Sequence, residues 1–192
     1  MKNIILISAA ALSLSACGVN SVPTAEEEAK AAWANVENDY QRRADLVPNL
    51  VNTVKGFAAQ EQEVLTEVTA ARASATQTRI DADDLDDPAA MQRYSEAQDQ
   101  LSGALSRLLV SVERYPDLRS QENFLMLQSQ LEGLENRIAI SRRDYNDAVR
   151  MYNTEIRTFP SLIAARFIYG AEPMQPYEAT TEGAEEAPTV EF

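Results

Sequence analysis

Histidine is absent from this 192-residue chain, and cysteine occurs once. Ser-His-Asp catalysis, Cys-His catalysis and His-based zinc sites are therefore excluded, and a lone cysteine closes no internal disulfide. Glycine (6) and proline (8) are too scarce for a turn-rich β-sandwich. Basic residues number 17 against 30 acidic ones, a net charge of −13, which argues against binding the phosphate backbone of a nucleic acid. No glycine-rich phosphate loop is present, and no motif points to a cofactor. What is plentiful is hydrophobic residues, at 45%. That is enough for a core, and the length suits one or at most two domains.

The one uncharged apolar run near the start, residues 4–16 (IILISAAALSLSA), follows Lys2. As a helix it reaches roughly 20 Å, short of the ~30 Å hydrocarbon core of a bilayer. It reads as the apolar region of a signal peptide over residues 1–17 rather than a membrane span. Leu14, Ser15, Ala16 and Cys17 resemble the bacterial lipoprotein box, in which the cysteine receives a diacylglyceryl group and becomes the mature N-terminus. The resemblance implies lipidation at Cys17 and placement in the cell envelope, outside the cytoplasm. Gly18 is not the aspartate that retains such proteins at the inner membrane, so the outer membrane is favoured where the cell has one. Two or three acyl chains anchor stably where a single chain does not.

Residues 18–24 (GVNSVPT) read as a tether and 25–170 as one helical domain. Apolar residues recur at positions 33, 36, 40, 47, 50, 54, 57, 64, 68, 71 and 75, a heptad seam if Arg43 and Glu61 fill its gaps. Pro48 should kink or interrupt this first helix near Asp45, and Gly56 is a second soft point. Asp86 or Asp87 caps a second helix behind Pro88, and Pro116 ends it. A third carries Phe124, Leu127, Leu131, Leu134, Ile138, Ser141, Tyr145, Ala148 and Tyr152. Residues 161–169 form a short helix closed by Gly170. Residues 171–192 hold six glutamates, three prolines and no base, and read as a disordered acidic tail. The fold class is all-α, an elongated antiparallel bundle of three long helices plus a short C-terminal helix. Either that short helix packs on one end or a second copy of the chain completes the bundle.

Two polar clusters interrupt the seams. Arg42, Arg43, Asp45, Asn49, Asn52 and Lys55 gather around Pro48. They form either a docking site for an acidic partner or lipid headgroup, or an internal network whose arginines cover carbonyls freed by the proline. Glu135, Asn136, Arg137, Arg142, Arg143 and Asp144 form a second cluster, read as pins that fix interhelical register. The acidic runs Glu26–Glu28 and Asp81–Asp87 lack the ligand spacing and turn glycine of an EF-hand, so no metal site is assigned.

The strings AWANVENDYQRRADLVPNLVNTVKGFAAQEQEVL (32–65) and ERYPDLRSQENFLMLQSQLEGLENRIAISRRDYNDAVRMYNTEIRTFP (113–160) resemble the LemA family of membrane-anchored bacterial helical proteins. The resemblance implies a bundle of long antiparallel helices behind an N-terminal anchor. Family members often carry a true transmembrane helix where this chain has a lipoprotein-type signal. Many have histidine where this chain has Gln60, and the aromatic segment near 168–178 is kept only in part. The family's genes often lie beside those of envelope metalloproteases, which implies a class of partner.

These readings converge on a membrane-anchored, non-enzymatic interaction or scaffold protein of the bacterial envelope. Its partners are the membrane and an envelope protein of unknown identity. An adaptor of an envelope protease is the alternative, and a hydrolase with acid groups in a groove of the bundle is a weaker one.

Overall fold

The computed structural model describes residues 2–56 and 61–178, with side chains from residue 19 onward. Long helices dominate: α1 (Lys2–Lys55), α2 (Gln62–Gln77), α3 (Pro88–Val112) and α5 (Glu122–Glu155). Two short helices, α4 (Pro116–Arg119) and α6 (Ser161–Ala164), and a π-helical turn (Ala165–Tyr169) complete the set among the described residues.

The seam from Trp33 to Ala75, read as one helix with weak points at Pro48 and Gly56, belongs to two helices. α1 ends at Lys55, beside Gly56, and the chain returns antiparallel as α2, so that Arg72 of α2 reaches Ala44 of α1. The apolar phase is continuous through the break, which is why periodicity alone joins the two. Three long helices thus become four, running up, down, up and down. α1 lies against both α5 and α2, and α2 lies against α3.

Local chemistry sets the other boundaries. Asp87 caps α3, its Oδ1 accepting from the Ala89 amide at 2.8 Å, and Pro88 occupies the first helical position. Pro116 opens α4 after α3 has ended. Gly170 closes the last turn at φ +59°, where a Cβ would be strained.

Both prolines of α1 lie inside a continuous helix. A proline cannot donate to the carbonyl four residues earlier. Pro48 therefore frees the Ala44 carbonyl, and Arg72 Nε of α2 donates to it at 2.8 Å. Pro23 frees the Val19 carbonyl, and the Tyr169 hydroxyl donates to it at 3.1 Å. The expected interruption near Asp45 does not occur, because another element supplies the missing donor in each case.

The segment 18–24 is not a tether. It is helical, and Val22 is fully buried. Packing also continues past residue 170: residues 171–178 run without regular structure along the bundle and bury Met174 and Tyr177. The acidic, proline-rich composition hides these two anchors. The rest of the expected tail, 179–192, lies outside the described residues.

Two core clusters result. One holds Trp33, Tyr40, Tyr94, Tyr145, Tyr152 and Tyr177 with aliphatic neighbours such as Val36, Ile138 and Val149. The other is largely aliphatic, with Val47, Leu50, Leu65, Leu101, Leu108, Leu127 and Leu131. Leu134, expected in the seam, is only partly buried.

Candidate functional site

A polar layer separates the two cores. Along α1 the order is Tyr40, Arg43, Val47; along α3 it is Tyr94, Gln98, Leu101; along α5 it is Leu131, Glu135, Ile138. Arg43 is 1% exposed. Its Nη1 donates to Ser102 Oγ at 2.6 Å and to Glu135 Oε1 at 3.0 Å. Its Nη2 donates to the carbonyl and to the side-chain oxygen of Gln98, both at 3.0 Å. The Gln98 amide in turn donates to the Ala75 carbonyl of α2 at 3.2 Å. One guanidinium therefore ties α1, α3 and α5, and through Gln98 it reaches α2. Its face also lies 4.9 Å from the Tyr40 ring centroid, a cation–π arrangement.

Arg43 Nε and Trp33 Nε1 are buried without a hydrogen-bond acceptor. Both groups pack on aromatic rings: Arg43 on Tyr40, and Trp33 between Tyr94 and Tyr145 with centroids 5.1 Å away.

The neighbours grouped with Arg43 in sequence do not join it. Arg42, Asp45, Asn49, Asn52 and Lys55 are exposed. Asp45 accepts from Gln41 at 2.8 Å, and Asn49 contributes its carbonyl to Thr53. The carbonyl freed by Pro48 is covered by Arg72, which sequence reasoning did not single out. The proline at position 48 and the rule of four are the signal for an orphan at Ala44. Nothing local marks Arg72 as its partner.

On α5, Glu135 meets Arg43, while Arg137 and Arg143 stand exposed. Arg143 approaches Asp144 at 3.7 Å on the surface. Arg142 lies over the Tyr177 ring, 4.2 Å from its centroid. Arg42 and Arg137 line an open groove between α1 and α5 together with Asn38, Asp39, Ser141 and Asp144. In it the Ser141 hydroxyl donates to Asp39 at 2.7 Å, and Arg42 lies 3.5 Å from the same carboxylate. The groove thus presents two exposed guanidinium groups above a fixed serine–aspartate pair.

The segment 171–178 is read by two asparagines two turns apart on α5. Asn153 exchanges both side-chain hydrogen bonds with the backbone of Met174 (2.8 and 2.9 Å), and Asn146 does the same with Tyr177 (3.0 and 2.7 Å). Between them the Tyr145 hydroxyl donates to the Gln175 carbonyl at 2.8 Å. The Gln175 amide donates to the Leu85 carbonyl in the α2–α3 connection, also at 2.8 Å. The Tyr40 and Tyr177 hydroxyls meet at 2.7 Å. Burial pushes the phenols of Tyr94, Tyr145 and Tyr177 above their ordinary range, so they stay neutral. At the C-terminal end of α5, just past Asn153, hydrogen bonds from Ser161 and Ser21 hold the Glu155 carboxyl below the usual range.

No group of His, Cys, Asp and Glu residues fit to hold a metal ion occurs among the described residues. No helix among them is long and apolar enough to cross a membrane. The lipidation site expected at Cys17 lies on α1 where side chains fall outside the described residues.

The model of the LemA family matches residues 32–192. Magnetosome protein MamQ 2 of Paramagnetospirillum magneticum is 29% identical, over 73% of this chain and 58% of that protein. Magnetosome protein MamQ of Magnetospirillum gryphiswaldense is 28% identical over the same shares. Protein LemA of Metamycoplasma hominis is 24% identical, over 73% of this chain and 60% of its own length. The chain therefore spans about three fifths of the length of these curated relatives. It belongs to the LemA family.

Proposed function

We propose that this LemA-family chain is a membrane-anchored, non-enzymatic scaffold of the bacterial cell envelope that presents the α1/α5 groove to a protein partner. One observation carries the proposal. The Arg43 charge is consumed inside the bundle, whereas Arg42, 3.5 Å from Asp39, and Arg137 are exposed in an open groove around a preset Asp39–Ser141 pair. Two exposed cations beside an ordered acceptor suit recognition of a partner carboxylate, since guanidinium groups bind carboxylates in a fork geometry. The absence of histidine and the single cysteine leave acid–base and nucleophilic catalysis without their commonest agents. The anchor is the lipid on Cys17, or the apolar stretch 4–16 itself.

Two variants test the two halves of this reading. Arg42→Glu combined with Arg137→Glu changes only exposed side chains, so the helical signal should persist. Crosslinking from a photoreactive group at Asn38 in the native membrane should capture a protein with the parent chain and lose it with the charge-reversed one. Equal capture by both chains would remove the groove from the proposal. Cys17→Ser should abolish fatty-acid labelling and membrane retention; unchanged labelling would remove the lipid anchor.

A further inference from the structure

The end of the bundle where α1 carries Val19 is chemically unlike the rest. Six of the eleven exposed large hydrophobic residues among those described fall in the single run 159–169: Phe159, Leu162, Ile163, Phe167, Ile168 and Tyr169. Phe159 and Phe167 are 78% and 79% exposed. Scattered apolar residues on a surface are ordinary, but a contiguous group this dense marks a contact. The run is also an island of charge. From Ile156 to Ala171 the sequence holds two arginines, Arg157 and Arg166, and no acid, in a chain with 30 acidic residues. Both arginines are exposed.

Its position is fixed against the start of the bundle. The Tyr169 hydroxyl donates to the Val19 carbonyl at 3.1 Å, and Ser21 Oγ donates to Ser161 Oγ at 3.4 Å. α6 lies against α1. From Val19 the α1 backbone continues toward Cys17 and the apolar stretch 4–16. Either form of the anchor therefore leaves the bundle within a few residues of the aromatic run.

We infer that the run 159–169 is a second membrane contact. Phe159, Ile163, Phe167 and Ile168 enter the interfacial layer beside the anchor, while Arg157 and Arg166 meet anionic headgroups. Resting on the anchored scaffold reading, this contact deepens it by setting how the bundle stands on the bilayer. Three independent observations select lipid as the occupant: the apolar group is continuous with the anchor, it is rich in aromatic rings, and its only charges are positive. Interfacial aromatic rings and flanking arginines are what a headgroup layer favours. A short helix with an apolar face lies in that layer rather than across it.

The test uses the full chain, reconstituted by its anchor into vesicles of phosphatidylethanolamine and phosphatidylglycerol with brominated or unbrominated acyl chains. Phe167→Trp places an indole in the run. Val110→Trp places one on an exposed site near the C-terminal end of α3, roughly 50 Å away along the bundle. The native Trp33 is 1% exposed in the core and supplies the same background in both. The inference predicts flotation of both variants, with a blue shift and bromine quenching confined to the indole at 167. Replacing Arg157 and Arg166 by serine should reduce that quenching. Flotation with both indoles in water would overturn the second contact and leave the anchor intact. A blue shift at 167 without bromine quenching, rising with protein density, would assign the run to a second copy of the chain and equally overturn it. Failure to float would remove the anchor reading and this inference together.

Discussion

The two cores on either side of Arg43 are built on different principles. The aliphatic one is closed by helices: α1, α2, α3 and α5 surround Leu50, Leu65, Leu101, Leu108 and Leu127. The aromatic one loses its fourth wall when α2 ends at Gln77. Two irregular segments take over. The α2–α3 connection contributes Ile80 and Leu85, and the segment 171–178 contributes Met174 and Tyr177. A helix satisfies its own backbone, but an irregular segment buried on a bundle does not. Asn146, Asn153 and the Tyr145 hydroxyl meet that need on α5. Aromatic residues suit this half for the same reason, since tyrosine brings a large apolar body with a polar tip. Where the chain must hold non-helical backbone, side chains carry specific hydrogen bonds. Where helices do all the work, size and shape suffice.

The sharpest way to break this contrast is to cut one core at a time. Trp33→Ala removes the centre of the aromatic half and should cost roughly 3–5 kcal/mol. Leu108→Ala, fully buried in the aliphatic half, should cost roughly 2–5 kcal/mol. Denaturant unfolding gives both magnitudes. The halves differ in a second readout: Trp33→Ala should also release residues 171–178 to a protease, whereas Leu108→Ala should leave them protected at equal loss of stability. Equal release in both would mean that the polar layer does not insulate the halves.

The polar layer itself gives the next effect. Glu135→Leu leaves the Arg43 charge buried on neutral partners alone, and should cost about 1.5–3 kcal/mol for the charged hydrogen bond lost. Arg43→Met removes the buried charge and leaves Glu135 to water, because its side chain is 45% exposed. Replacing a buried ion pair by apolar residues is often close to neutral, and removing one ion is costly mainly when the other stays buried, which Glu135 does not. Arg43→Met should therefore be the milder variant, despite deleting more hydrogen bonds. Thermal unfolding of the pair decides it; the reverse order would mean that the layer stabilises the bundle outright instead of aligning it.

Much of this contrast was legible beforehand, and the rest was not for definite reasons. Asp87 with Pro88, Pro116 and Gly170 are local signals, and each boundary falls where they stand. Periodicity named most of the core on α1, α3 and α5. Gly56 stood out only as a soft point, and the reversal there was missed, because the apolar phase carries on into α2 as though the helix continued. Also missed was the segment 171–178, because two anchors, Met174 and Tyr177, sit in a composition typical of disorder. Of the candidate site, Arg43 and Glu135 were marked by interrupting apolar seams, but their meeting is a fact of tertiary register. Asn146 and Asn153 share a helix face at a spacing of seven, a pattern that gains meaning only once an irregular strand lies across it.

The smallest predicted effect compares the two repaired prolines, one beside the polar layer and one at the end of the bundle. The Ala44 carbonyl is served by Arg72, a partly buried side chain, so Arg72→Ala leaves an acceptor with poor access to water. An unsatisfied buried acceptor costs about 1–3 kcal/mol. The Val19 carbonyl is served by Tyr169 on the exposed end, where water can replace the hydroxyl, so Tyr169→Phe should cost less than about 0.5 kcal/mol. The assignment of each donor to its proline is tested by a double-mutant cycle. Pro48→Ala restores an amide at position 48 that can donate to Ala44, so Arg72→Ala should lose most of its effect in that background. The coupling should fall in the range of about 0.5–3 kcal/mol seen for residues sharing one network. In the Pro23→Ala background, Tyr169→Phe should show almost no coupling, because solvent already competes for Val19. Additive effects at Pro48 would mean that Arg72 packs there for reasons unrelated to the freed carbonyl. Strong coupling at Pro23 would instead mean that the Val19 end is shielded from water even without a membrane.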